Sequence, residues 1–465
     1  MANKMMNTQK VVRGNGVQAG GVYNPSTVET GSPNSKMPLL SETSYFEVFR
    51  NATEFNSIAQ APVNINEGQP AAHNVHNIGF LQSIFEKVNI SFKLTNSSSS
   101  ATTDITFAED APFSAISRIT SQFNGSTVTH SVSPYNLYAL YAKRLGGLKG
   151  GIFAHSANDG HATSSTTVTA SNVPTVNALI NEGCTPFAKI YFTQLSTGAV
   201  VVTTSAAQQG ITRLEKLTLP ASGTAVVNFE FIIPVSYTPR KDMLLGLIPL
   251  QNNSVFLDVK FEVNSLLSTS YITPMIQSTS GTTATSDYKG TITPITDFYS
   301  VPNPWAGTSS IYEYLINYNY IVSDSTFVEN STDITYNIPN NSYMLSFVNT
   351  FRDNSTKQLK KIGDILSELY INYNGTATVQ KVPASYDLFK MNIDAIGGYS
   401  TPTGVYIKDF YNSLYTENGG DWSRALNLYD ANSPTLTGKL IDGSMSNGTN
   451  ITVTMEKIIP VRVMA

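Results

Sequence analysis

Residues 116–138, ISRITSQFNGSTVTHSVSPYNLY, recur in outline as residues 365–389, ILSELYINYNGTATVQKVPASYDLF. Each copy holds an alternating segment, an Asn-Gly step, a second segment and a Tyr-x-Leu sequence opening a helix-like stretch. Asn124-Gly125 and Asn374-Gly375 lie 250 residues apart, and Tyr135 and Leu137 precede Tyr386 and Leu388 by 251. Asn-Gly supplies the positive φ values of a tight hairpin turn, so each copy predicts a β-hairpin followed by a helix. A period this long excludes a solenoid and predicts two whole β domains in tandem.

The flanks extend both copies. Val88, Ile90, Phe92 and Leu94 alternate with polar residues in VNISFKLT, the pattern of a strand with one face in a core. After the first hairpin, Ser133 can cap a helix that starts at Pro134 and ends at Gly146-Gly147; Pro383, Ser385, Leu388, Met391 and Gly397-Gly398 repeat the plan more loosely. VFLDVKFEV at 255–263 and ITVTMEKI at 451–458 read as the closing strands of the two copies. They lie 196 residues apart, which gives the first copy 54 extra residues. Most of that surplus is expected in a polar surface insertion at about 148–222, projecting outward.

Four segments complete the expected layout: an extended arm at 1–38, a first β domain at 39–268, a Ser/Thr-rich linker at 269–298 and a second β domain at 299–465. The arm carries Lys4, Lys10, Arg13 and Lys36 against Glu29, and reads either as a disordered tail or as a segment ordered against a neighbouring subunit or a membrane surface. Ser44 and Glu47 form a capping box for a helix that places Tyr45, Val48, Phe49 and Ala52 on one face. The second domain opens with IYEYLINYNYIV at 311–322, too densely apolar for a solvent-exposed strand.

Charged residues make up 13% of the chain and the net charge is −4, which argues against nucleic-acid binding by the body of the protein. A surface poor in Lys and Glu suits burial between subunits, and equally a simple bias towards Asn, Ser and Thr. The 24 Tyr and 22 Phe fit strands. Cys184 is the single cysteine, so no intrachain disulfide forms. The start MANKMMNTQKVV has no apolar run of signal-peptide length, and MLLGLIPL at 243–250 is far short of a membrane span. The sequons at Asn96, Asn330 and Asn374 read as chance products of composition.

Chemistry is sparse. His73 and His76 have an H-x-x-H spacing without a third ligand, and His130, His155 and His161 are isolated. Cys184 has no motif around it and reads as a structural thiol. Glu230 and Asp258 sit on different expected strands, and nothing in the pattern singles them out as a glycosidase pair. No phosphate loop, nucleophile elbow or zinc signature occurs. No catalytic, cofactor or metal residue is assigned, and the chain is not expected to be an enzyme.

With its two tandem hairpin-and-helix domains and the stretch VVNFEFIIPVSYTPRKDMLLGLIPLQNNSVFLDVKFEV at 226–263, the chain resembles the double jelly-roll major capsid proteins. That lineage spans tailless bacteriophages with an internal membrane, tectivirus-like, adenovirus hexons and the large icosahedral DNA viruses. The resemblance covers most of residues 80–465 and implies an all-β fold of two tandem eight-stranded jelly rolls with short inserted helices. It further implies homotrimers of pseudo-hexagonal outline tiling an icosahedral shell over a membrane, made in the host cytoplasm and carried in the virion. The partners implied are further copies of the chain, penton or vertex and minor capsid proteins, and lipid through the arm. A different class, a tandem β-sandwich receptor- or carbohydrate-binding spike, is the competing reading.

Overall fold

The computed structural model describes residues 54–65, 71–74, 80–108, 110–116, 118–123, 129–144, 163–182, 188–195, 199–206, 212–235, 248–249, 255–260, 276–279, 281, 283–300, 318–329, 332–340, 342–355, 358–360, 366–372, 378–379, 404–409, 426–441 and 448–460. The arm at 1–38, the helix expected at 44–52, the second-copy helix at 383–391, both Asn-Gly turns, Cys184, His76, His155 and His161 lie outside these residues.

The strands of the first half are β1 (Glu54–Ala59), β2 (Val63–Asn64), β3 (Ala71–Asn74), β4 (Phe80–Asn96), β5 (Thr103–Phe107), β6 (Arg118–Phe123), β7 (Thr129–Val132), β8 (Thr163–Val168), β9 (Ala188–Leu195), β10 (Val200–Ala206), β11 (Thr212–Leu219), β12 (Thr224–Val235), β13 (Ile248–Pro249), β14 (Val255–Lys260), β15 (Ile276–Thr279) and β16 (Thr283–Ser300). Helix α1 spans Pro134–Arg144 and α2 spans Val173–Glu182. The second half holds β17 (Tyr318–Glu329), β18 (Asp333–Asn337), β19 (Tyr343–Asp353), β20 (Leu366–Asn372), β21 (Thr378–Val379), β22 (Val405–Asp409), β23 (Leu426–Asn427), β24 (Thr435–Leu440) and β25 (Thr449–Pro460).

The second half is a jelly roll of eight principal strands. One sheet runs β17-β25-β19-β22 and the other β18-β24-β20-β21. In chain order, leaving out the short β23, these are strands one, eight, three and six against two, seven, four and five, the interleaving that two nested hairpins produce. The first half repeats it: β1-β16-β4-β12 faces β3-β14-β6-β7. Both repeated hairpins are present as antiparallel pairs, Gln122 opposite Thr129 and Asn372 opposite Thr378.

This equivalence corrects three expectations. Residues 269–298 are not a linker, because β16 is the eighth strand of the first jelly roll and pairs along β4 from Thr283↔Asn96 to Tyr299↔Phe80. The strand at 255–263 is therefore the seventh of its domain, equivalent to β24, whereas β25 is an eighth strand; alternation alone does not distinguish the two. The stretch at 148–222 is not merely a polar surface loop. It contributes β8, α2, β9, β10 and β11, and β9 extends the first domain's sheet beyond β12.

A separate five-stranded sheet, β15-β5-β11-β10-β8, stands on one end of the first jelly roll. Its strands come from the connections β4–β6, β7–β12 and β14–β16, which all leave from the same end of the antiparallel sheets. Asn96 fixes its root: buried at the end of β4, it donates to the carbonyls of Ala101 and Pro220 at 2.8 and 2.9 Å and accepts from the Thr103 hydroxyl at 2.8 Å. The opposite end is the base. Glu54 pairs with Ser300 there, so the chain enters the first domain at the base. Tyr318 pairs with Pro460, and β17 runs parallel to β7 through Ser323↔Ser131, so the second domain stands in the same sense and the chain leaves it at the base too.

The core follows from period two. Val88, Ile90, Phe92 and Leu94 of β4 are all within 1% of complete burial, as the alternation requires, and meet Val227, Phe229 and Phe231 of β12. Phe107 packs edge-on against Phe229 at 5.5 Å between ring centroids. Each such side chain contributes about 2–3 kcal/mol of apolar burial.

Candidate functional site: the seam between the domains

Helix α1 lies where the two jelly rolls meet. Ser133 precedes it and Pro134 opens it, and the Leu137 N–H donates to the Ser133 carbonyl at 3.1 Å. Its aromatic side enters the first domain: Tyr138 and Tyr135 lie 4.7 and 6.4 Å from Phe113, which in turn meets Phe231 of β12 at 5.1 Å. The Tyr-x-Leu sequence that marks the repeat is thus an aromatic anchor, with Tyr135 and Leu137 both buried.

Asn136, between those two residues, serves the other domain. Fully buried, it donates to the Thr454 hydroxyl at 2.6 Å and accepts from the Thr350 hydroxyl, reaching β25 and β19 together. Two residues along β19 from Thr350, Arg352 points to the same face and meets Asp110 at 2.5 Å. Asp110 lies on the β4–β6 connection of the first domain and has no exposure, while Arg352 keeps 16%. Burial pushes the Asp110 carboxyl above its ordinary value, against the opposing pull of the Arg352 guanidinium.

The outer face of the β17-β25-β19-β22 sheet is consequently covered by the first domain. Phe347, Val348, Asn349, Thr350 and Phe351 are buried in succession, so both faces of β19 are interior. The matching strand of the first domain, β4, keeps a strict alternation of buried and half-buried residues from Ile84 to Asn96. Lys457 of β25 is also buried, and desolvation pulls its ammonium down to about 8.

The residues weighed for chemistry do not converge. Glu230 on β12 pairs with Lys87 of β4 at 3.3 Å, whereas Asp258 belongs to β14 in a different sheet. His73 falls on β3 and His130 on β7. Among the described residues no group of three or more His, Cys, Asp or Glu is placed to hold a metal. No helix among them is long and apolar enough to cross a membrane. Asn96, the first residue of a sequon, has its side chain committed to the root of the upper sheet. Sequence reasoning missed Asp110, Asn136 and Arg352, because each is an ordinary polar residue until the two domains are brought together. The one available signal for Asn136 was its place inside the repeated Tyr-x-Leu.

No protein-family model and no curated protein matches the chain. Among solved structures, the crystal structure of the STIV MCP is similar at a TM-score of 0.51 and 13% identity, over 88% of this chain and 98% of that one. The atomic structure of Sulfolobus Turreted Icosahedral Virus matches at 0.49 and 12%, over 88% and 92%. The Faustovirus major capsid protein matches at 0.47 and 8%, over 100% and 99%. Taken with the strand-by-strand equivalence of its halves, the first of these likenesses establishes that the chain has the double jelly-roll fold of an icosahedral-virus major capsid protein.

Proposed function

We propose that the chain is the major capsid protein of an icosahedral virion, which self-assembles as homotrimers of pseudo-hexagonal outline. The observation that carries this reading is the upright, same-sense pairing of two equivalent jelly rolls within one chain. Three such chains present six similar domains around an axis, so one protein occupies hexagonal positions in a shell. The polarity of the molecule supports an orientation. The five-stranded sheet stands at the end away from Glu54 and Pro460 and faces outward. The base, where Glu54 begins the first domain, faces the interior and an internal membrane, a setting that suits the four basic residues against one acidic of the 1–38 arm. Penton, vertex and minor capsid proteins are further partners in this reading, the role is structural rather than enzymatic, and no nucleic-acid contact is involved.

Size-exclusion chromatography with light scattering tests it on the full chain. The expected species has three times the 50.4 kDa of one chain. A stable monomer at all concentrations, particularly one that binds glycans, overturns the capsid reading in favour of a receptor-binding spike.

A further inference from the structure

The two domains depend on each other unequally. On the second domain, Val348, Thr350, Val405, Ile407 and Thr454 share the outer face of the β25-β19-β22 sheet, and all are 2% exposed or less. Helix α1 of the first domain lies against β19 and β22 and supplies cover for that face. The corresponding strand of the first domain has no such need. Asn89, Ser91 and Lys93 on the outer face of β4 are polar and half-buried, while its apolar residues Val88, Ile90, Phe92 and Leu94 are buried within their own domain.

The covering helix is fixed from the other side. Tyr135 and Tyr138 anchor it on Phe113, which packs on Phe231, and α1 lies along β12. From that anchored position Asn136 reaches Thr350 and Thr454. Chain order agrees with this dependence. Every strand of the first jelly roll lies within residues 54–300, whereas the second begins at Tyr318, so synthesis completes the first before any strand of the second exists. Coupling across a contact is reciprocal in free energy, and a one-way dependence therefore needs unequal intrinsic stabilities. The second domain is the smaller, at residues 318–460, and a smaller domain buries a smaller fraction of its surface. Its interior also holds the desolvated Lys457.

We propose that the first jelly roll is the folding template of the second. The first reaches its native packing alone, and the second is native only while α1 covers β19 and β22. A chain whose first domain is unfinished then offers no native second domain to another copy, which withholds assembly until both halves are complete. The dependence of one domain on the other stands apart from the self-assembly reading; only this last consequence rests on it.

Hydrogen exchange of the full chain, resolved by segment, provides the test. Asn136→Arg drives a charge into the seam from the first-domain side. The amides of β19 and β25 should lose their protection, while those of β4 and β12 keep the rates of the parent protein. If that variant does not fold, Asn136→Ala serves instead: it removes only the two hydrogen bonds, with exchange in β25 expected about tenfold faster and β4 unchanged. Leu179→Arg, on the exposed side of α2 at 36% exposure, is the control and alters neither domain. Protection of β19 and β25 that survives the seam variants makes the second domain autonomous and overturns the proposal. Acceleration of β4 and β12 together with β25 makes the two domains one cooperative unit and overturns it equally. A parent protein that never assembles overturns the self-assembly reading and leaves these exchange rates as expected.

Discussion

At the scale of single residues, two buried charges have opposite standing. Asp110 and Arg352 come from different domains and compensate each other, so removing one leaves the other stranded. Asp110→Asn should cost about 3 kcal/mol, the lower end for a broken buried pair because Arg352 retains some solvent. Asp110→Asn combined with Arg352→Met should cost less than the single change, since no uncompensated charge remains, and urea unfolding of the three proteins measures the difference. Among the described residues Lys457 has no such compensation. Its folded pKa of about 8 lies below the unfolded value of 10.5, so between these the unfolded chain holds a proton that the folded one lacks. Stability therefore rises with pH through that window, and the penalty is complete below pH 8. Lys457→Met should stabilise by at most about 3 kcal/mol at pH 7, and its advantage should vanish above pH 10.5. A variant whose advantage is independent of pH would show that packing, not charge, sets the effect.

At the scale of elements, the outermost strand of the first domain illustrates how an edge is closed. β9 has β12 on one side only, and its other side meets α2 rather than a strand. Asn177 and Asn181, one helical turn apart, each use both amide atoms on it. Asn177 donates to the Phe192 carbonyl and accepts from the Phe192 N–H, both at 2.9 Å. Asn181 does the same at Ile190, at 2.7 and 2.9 Å. Spacing of four on the helix matches spacing of two on the strand, because about 6 Å separates both pairs. The side chains thus take the place of a neighbouring strand and remove an aggregation-prone edge. Asn177→Ala with Asn181→Ala should cost about 2 kcal/mol locally. Hydrogen exchange at Ile190 and Phe192 should accelerate while the amides of β4 and β25 stay protected; an unchanged pattern would mean that water replaces the asparagines without loss.

The same scale explains why one strand escaped sequence reading. β16 is rich in Ser and Thr and is broken by a register shift between Ser286 and Lys289, where Asp287 takes a φ of 55°. Gly290 follows, in a position where an added Cβ would lie 3.0 Å from the Ile65 side chain. Polar composition, a bulge and a glycine together imitate a connector. Beyond the bulge the alternation is regular, with Gly290, Ile292, Pro294, Thr296 and Phe298 buried. The composition of the segment masked a period of two that was present.

At the scale of the whole molecule, two parts of the same topology are unequal. Among the described residues the domains share a topology, yet the outer sheet face of the second is buried while that of the first is half-buried, and only the first carries an upper sheet drawn from three connections. The duplication, the two hairpins, the helix opening at Pro134 and the alternating core of β4 were legible in the residues, because Asn-Gly turns, caps and periods of two and 3.6 are local properties of the chain. The domain boundary, the order of the strands, the edge closed by Asn177 and Asn181, and the seam of Asp110, Asn136, Arg352 and Thr454 were decided by the tertiary structure alone. Asn136 and Thr454 stand 318 residues apart, and their hydrogen bond exists only where two separately patterned domains exclude water between them.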